Sequence, residues 1–358
     1  MATKTYLAGD LGGTKTLLSL YRDIDGRLKQ DKVHRYRSAD WDDLESMLRD
    51  FLNQTPDDLP KPASGCIAVA GPVHQGSAKL TNLPWRMTEG SLSEVTGVQR
   101  LELVNDFAVL IHGLPHFSDQ QQHVLQLGRG RSTPAPAGSD SGPVAILGAG
   151  TGLGMARGIP MARGWLAMPS EGGHREFAPR SDAEWELAKW LKQDLQLRRL
   201  SIERIVSGTG LGHVMNWLLN RQSDLQHSLR AHAHAWRTVA VDQPGYQDLP
   251  SLTAKAAAAG DQLANEAMRL WLGAYGSAAG DLALQELCIG GLWIGGGTAK
   301  KNLDGLSSSQ FLEPLRSKGR FRSLIEGMTI RAVVDPEAGL FSAACRARDL
   351  VEPSGTLA

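Results

Sequence analysis

The chain has 358 residues, 42% of them hydrophobic, which is enough for two domains or one large domain with a substantial core. Lys plus Arg and Asp plus Glu number 38 each, so the formal net charge is zero and argues against nucleic acid or an anionic membrane as partner. The opening Met-Ala-Thr-Lys-Thr-Tyr leads straight into a strand-like run without a signal-peptide pattern.

The first predicted element is a hairpin whose turn is rich in glycine, Ala8-Gly9-Asp10-Leu11-Gly12-Gly13-Thr14-Lys15-Thr16, after the apolar run Tyr6-Leu7-Ala8. A tight turn that aims several backbone N–H groups at a phosphate needs close approach, and glycine permits it. Thr14 adds a hydroxyl donor. Asp10, a carboxylate beside an anion site, makes sense with a hydrated Mg²⁺ between the two. Taken alone, the Gly-Gly-Thr turn could equally be an ordinary hairpin turn.

A helix is predicted from about Trp41 to Leu52, then strands near 65–70 and 101–105, with a sharp stop at Gly71-Pro72. Asn105-Asp106 ends the apolar run Leu101-Glu102-Leu103-Val104. Asp106 is the leading candidate for a catalytic base, because an alcohol hydroxyl is a poor nucleophile until a positioned carboxylate accepts its proton. The same pair could also cap a helix starting at Phe107.

Residues 129–143, rich in Gly, Ser, Pro and Ala, read as a surface loop or insertion. A second glycine loop follows the run Val144 to Leu147: Gly148-Ala149-Gly150-Thr151-Gly152-Leu153-Gly154. Neither loop is a Walker A sequence, since Thr14 stands sixth from Gly9 where Gly is required. The second is not a dinucleotide fingerprint, since Leu153 stands where the third Gly belongs. Two such loops with a carboxylate between them predict a nucleotide gripped from two sides.

Ser170-Glu171-Gly172-Gly173-His174 forms a turn that can aim Glu171 and His174 at one ligand, although His174 alone reads as a loop histidine. A helix is predicted from about Asp182 to Leu197. Glu203 opens the block Glu203 to Leu211 and, taken alone, reads as an acid at a helix N-terminus. A largely helical region runs to Glu286. Its apolar stretch Leu263 to Leu287 carries Glu266, Arg269, Asp281 and Glu286, and so reads as a buried helix of a soluble protein. Gly273, Gly276 and Gly280 are expected to let that helix pack closely on a sheet. A strand over 288–294 ends at Gly295-Gly296-Gly297, a strand at 329–334 follows, and Ala338 to about Asp349 reads as a helix. Cys66, Cys288 and Cys345 are far apart and odd in number, and no CxC or CxxC pair exists. They predict buried free thiols in a reducing cytoplasm and no structural zinc.

From Tyr6 to about Ala344 the chain resembles the bacterial glucokinases of the sugar kinase/actin/heat-shock ATPase fold. The motifs carrying the resemblance are Gly-Asp-Leu-Gly-Gly-Thr-Lys-Thr at 9–16, Leu-Val-Asn-Asp-Phe-Ala at 103–108 and Gly-Ala-Gly-Thr-Gly-Leu-Gly at 148–154. They continue with Ser-Glu-Gly-Gly-His at 170–174, the block at 203–211 and Gly290 to Gly297. The resemblance implies a two-domain α/β architecture, the actin-like ATPase (ribonuclease H-like) fold with a cleft between domains and an internal duplication. The expected division is a small domain over 1–115, a large one over 116–337, and a C-terminal helix, 338–358, packed back on the first. The implied reaction is ATP-dependent phosphorylation of glucose with Mg²⁺, in the cytoplasm, by a homodimer. Asn105, Asp106, Glu171, His174 and Glu203 would bind the sugar, with the loop Asn82 to Trp85 beside them. Gly9, Asp10, Leu11, Gly12, Gly13, Thr14, Gly150, Thr151, Gly152, Gly295, Gly296 and Gly297 would bind the nucleotide. Thr298-Ala299-Lys300-Lys301 departs from the apolar stretch expected after the last motif. The alternatives are a kinase of another hexose or an N-acetylhexosamine, and a non-catalytic sugar sensor; no helix-turn-helix precedes Tyr6.

Overall fold

The computed structural model describes residues 4–56, 59–80, 83–130, 142–162, 164–222, 226–241 and 243–351. Asn82 and most of the 129–143 segment lie outside the described residues. The first part of the chain forms β1 (Thr5–Leu11), β2 (Lys15–Ile24), β3 (Arg27–Arg37) and β4 (Pro62–Val69). It continues with three short strands, β5 (Val73–His74), β6 (Ser77–Lys79) and β7 (Arg86–Thr88), and then β8 (Leu101–Asn105). The second part forms β9 (Gln122–Gln126), β10 (Val144–Ala149), β11 (Leu153–Pro160), β12 (Trp165–Ser170), β13 (Gly291–Gly295) and β14 (Ile330–Val333).

The two main sheets repeat one plan. In the first the order is β3-β2-β1-β4-β8, and in the second β12-β11-β10-β13-β14-β9. Each has an antiparallel trio of consecutive strands with two parallel strands beside the first of the trio, and the second sheet adds β9, antiparallel, at its far edge. This gives the mixed α/β architecture of the actin-like ATPase fold, and the chain was expected to have it. Both glycine turns join the first two strands of the antiparallel trio in their sheets, so the duplication places them alike.

Alternation along the strands sends side chains to both faces. From β1, Leu7 and Leu11 pack with Met47, Leu48 and Phe51 of the helix Leu44–Asn53 on one face. Tyr6 and Ala8 pack with Leu340, Ala343, Ala344 and Ala347 of the helix Ala338–Val351 on the other. In the second sheet, Ala145, Leu147 and Ala149 pack with Tyr275, Ala278 and Ala279 of the helix Gln262–Glu286. Val144 and Ile146 meet Ala108, Leu110 and Ile111 on the opposite face. The chain crosses between the sheets twice, through residues 106–121 after β8 and through 334–337 after β14. The first crossing packs against the helix that follows the second, because a Cβ on Gly113 would lie 2.0 Å from Ser342 Oγ.

Several boundaries differ from the sequence reading. The first helix begins at Leu44 and not Trp41, because Asp43 caps it by accepting from Ser46 N–H at 2.7 Å. The helix at Asp182 stops at Asp194. The strand expected from 288 starts at Gly291, since Leu287 takes a left-handed conformation (φ 45°) that turns the chain first. Gly276 and Gly280 admit another helix and not a sheet: a Cβ on either would lie 2.0 or 2.2 Å from the carbonyl oxygens of Phe311 and Leu315 in the helix Ser309–Arg316. Gly273 instead makes room for the Arg180 guanidinium. Among the described residues no helix is long and apolar enough to cross a membrane. All three cysteines are buried and free.

Candidate active site

The predicted site residues gather at the ends of β1, β8, β10 and β13, the carboxyl edge of the strands where open α/β sheets place their ligands. The first turn spans Gly12, Gly13 and Thr14, closed by Gly12 N–H donating to Lys15 O at 3.0 Å. Gly9 and Leu11 belong to the strand beneath it. Leu11 is fully buried in the core, and a Cβ on Gly9 would lie 2.6 Å from Ile67 Cδ1. Their side-chain positions pack against the core, while Gly12, Gly13 and Thr14 face outward.

Asp10 and Asp106 form the acidic centre. Burial pushes the Asp10 carboxyl above its ordinary value, with Lys15 pulling it the other way. Burial raises Asp106 to about 6, helped by the negative charges of Asp10 and, more weakly, Glu171, against backbone N–H donation. Asp106 is held from two sides. Its N–H donates to Val69 O at 3.0 Å, and Asn105 Nδ2 donates to Asp106 Oδ1 at 3.1 Å.

Asn105 itself is fully engaged. Its Oδ1 accepts from Phe107 and Ala108 N–H at 3.0 and 3.1 Å, and its Nδ2 also donates to Gly71 O at 3.2 Å. The cap predicted for the Asn-Asp pair is therefore made by Asn105 alone. It stabilises a turn over 106–109, and the regular helix begins at Leu110. Phe107 carries the catalytic motif against the second sheet, where a Cβ on Gly154 would lie 2.1 Å from its ring.

The second turn spans Gly150, Thr151 and Gly152 and is clamped by the block at 203–211. Gly208 N–H donates to Gly150 O at 2.8 Å, Thr209 Oγ1 to Thr151 O at 3.2 Å, and Glu203 Oε2 accepts from Leu153 N–H at 2.9 Å. A Cβ on Gly152 would lie 2.4 Å from that carboxylate oxygen, so a side chain there would push the carboxylate off Leu153 N–H. Ser207 caps the helix Gly208–Arg221, accepting from Gly210 N–H at 2.9 Å, and the positive end of this helix lies at the turn. The triple glycine lies across the same turn. Gly296, at φ 80°, sits where a Cβ would be 2.6 Å from Ala149 O, and Thr298 donates to that carbonyl through N–H and Oγ1 at 3.2 and 2.7 Å. Gly295 is buried at the strand end, whereas Gly296 and Gly297 are exposed.

Glu171 and His174 are exposed neighbours on a 3-10 turn, with His174 Nε2 3.8 Å from Glu171 Oε2. That turn is seated on β11, where a Cβ on Gly173 would lie 2.2 Å from Leu153 O. It is also joined to the Glu203 segment through Ile202 N–H donating to Arg175 O at 2.9 Å. Glu203 thus links the second turn to the Glu171–His174 motif. The roles of Ser207, Thr209 and Thr298 escaped the sequence reading, although Ser207 and Thr209 lie inside a recognised block. Thr298 stands where the chain departs from the expected apolar pattern.

Paired glycine turns on duplicated sheets, facing a buried carboxylate beside a polar turn, define a phosphotransferase with the actin-like ATPase fold. The chain belongs to the glucokinase family, whose model matches residues 7–350. It is 37% identical over 346 residues to the glucokinase of Nostoc punctiforme, covering 96% of this chain and 98% of that one. It is 29% identical over 346 residues to the glucokinase of Salmonella paratyphi B, covering 97% and 98%. Among solved structures, glucokinase from an Antarctic psychrotroph superposes with a TM-score of 0.79 at 26% identity, covering 97% of this chain and 99% of that one. A ROK family glucokinase from Streptomyces griseus, in complex with glucose and AMPPNP, shares the fold with a TM-score of 0.58 at 21% identity, covering 97% and 100%.

Proposed function

We propose that the chain transfers the γ-phosphoryl group of ATP to the 6-hydroxyl of D-glucose, with Asp106 as the proton acceptor. The sugar O6 forms a bond to Pγ as the bond from Pγ to the bridging oxygen breaks. ADP leaves with that electron pair, and the O6 proton passes to an Asp106 oxygen. The observation carrying this reading is Asp106 itself: a carboxyl raised to about 6, between two glycine turns, is ionised at neutral pH yet basic enough to take a proton. In this reading Glu171, His174 and Glu203 accept and donate to the ring hydroxyls, and Asn105 orients Asp106. Gly12 to Thr14 and Gly150 to Gly152 hold the phosphates, and Gly295 to Gly297 border the adenosine. The buried, electrostatically coupled carboxylates of Asp10 and Asp106 suit a divalent cation, because oxygen donors are what Mg²⁺ takes. Asp10 would hold Mg²⁺ through water, and the ion would neutralise charge on the transferring phosphoryl group. Three buried free thiols fit a reducing cytoplasm.

The test is a coupled assay for glucose 6-phosphate with ATP and Mg²⁺, run beside other hexoses, N-acetylhexosamines, ADP and polyphosphate. Glucose with ATP is expected to give the highest kcat/KM. Turnover confined to another sugar or donor would replace the reading, and no turnover with any pair would leave a sugar sensor.

A further inference from the structure

We infer that Ser38, which no sequence motif includes, is a positioning residue for the nucleotide, through its grip on the underside of the first glycine turn. The inference rests on the proposed function. Ser38 follows β3 at the start of a short 3-10 turn and is fully buried. It touches the turn at three places. Its Oγ donates to Gly12 O at 2.8 Å, its N–H donates to Thr14 O at 3.2 Å, and its Oγ lies 3.0 Å from Thr16 Oγ1. A serine hydroxyl has one proton. With that proton on Gly12 O, the proton between the two hydroxyls comes from Thr16, and the relay runs Thr16 to Ser38 to Gly12.

The geometry explains why this matters for a phosphate. In a planar trans peptide the C=O and N–H point in opposite directions. Drawing Gly12 O down toward Ser38 turns the Gly13 N–H up and away from it. Among the described residues no protein acceptor takes that N–H, and glycine at 13 leaves it open to approach. Ser38 therefore fixes a donor it never touches. Nothing in the Glu171–His174 motif contacts Ser38, so its effect belongs to the nucleotide and not to the sugar.

The experiment measures KM for ATP and for glucose, and ATP binding by calorimetry, in the full chain carrying Ser38→Ala. Two controls accompany it. Thr16→Val cuts the other end of the relay, and Met47→Ala lowers stability from the hydrophobic core packed on the same sheet. Glucose turnover by the unaltered chain is scored first. Its failure would end the proposed function, whereas an active enzyme without the effect below would end only this inference. Ser38→Ala and Thr16→Val are each expected to weaken ATP about fivefold to tenfold, in line with the loss of a buried hydrogen bond, and to leave KM for glucose within about twofold. Met47→Ala is expected to lower Tm without changing either KM. Equal loss for both substrates, no loss for ATP, or an ATP defect in Met47→Ala would each overturn the inference. If Ser38→Ala does not fold, Thr16→Val decides on the same criteria.

Discussion

The two glycine turns occupy equivalent places in duplicated sheets, yet they are braced differently. The first is held from beneath by Ser38, whose hydroxyl bonds the turn at Gly12 and β2 at Thr16. The second is held by Glu203, Gly208, Thr209 and Thr298, and Glu203 sits on a segment joined to the Glu171–His174 turn. Duplication fixed where the proposed phosphate grips lie, and each copy then found its own support. One grip is indifferent to the sugar, and the other shares a carboxylate with the residues proposed to read it.

The largest effect should come from the group both turns serve. Asp106→Asn is expected to lower kcat by roughly 100- to 10,000-fold while glucose binding stays measurable by calorimetry. Retention of more than a tenth of wild-type kcat would remove Asp106 as the base.

The next test separates the two braces. Glu203→Ala removes the acceptor for Leu153 N–H together with the proposed sugar contact, so KM should rise for both substrates. Glu171→Ala should weaken glucose by on the order of tenfold to a hundredfold, the range of hydrogen bonds to a charged group, and leave ATP unchanged. If Glu203→Ala affects glucose alone, the second turn does not depend on its carboxylate and the contrast between the braces collapses.

The pH dependence sharpens the role of Asp106. Below about pH 6 Asp106 gains a proton, and kcat/KM should fall by roughly tenfold per unit. The folded chain holds this proton more tightly than the unfolded one, whose carboxyl titrates near 3.8, so the Asp106 contribution to stability declines as pH rises from about 4 to 6. Asp106→Asn should therefore have a higher Tm than wild type at pH 8, with the advantage gone below the unfolded value. A flat rate profile between pH 5 and 7, or no Tm gain at pH 8, would contradict the raised carboxyl.

The smallest expected signal concerns the cleft. Asp106 follows the first sheet, and Glu171 and His174 extend from the second, so one sugar touching all three favours whatever arrangement brings the sheets together. Glucose should reduce the radius of gyration slightly in solution scattering, and ATP hydrolysis without sugar should be very slow. Unchanged scattering together with brisk sugar-free hydrolysis would show a preformed site open to water.

The turns and Asn105-Asp106 were legible in the sequence because glycine clusters and polar pairs interrupt apolar runs at strand ends, a local signal. Helix ends were displaced by a few residues because capping decides them, as Asp43 does. The packing of Gly276 and Gly280 was misread because their partner is a helix some 35 residues further along, invisible to periodicity. Leu11 stood inside a recognised motif, yet it faces the core, since alternation along β1 outranks membership of a motif. Ser38 had no signal at all. One serine after a strongly charged strand becomes meaningful only when β3 lies beside β2 and its end reaches the turn.

The two crossings between the sheets bear on how the halves of the molecule can move. A body joined to another by one tether can tumble in any direction. Joined by two, it keeps chiefly the swing about the line through both. Here the first crossing is also pressed against the helix that follows the second, because Gly113 and Ser342 leave no space for a methyl group between them. Sliding and twisting are suppressed while a hinge-like swing remains, so the many possible displacements between the sheets reduce mainly to one coordinate. A substitution at Gly113 would therefore act on how the halves move, far from any atom that a substrate touches.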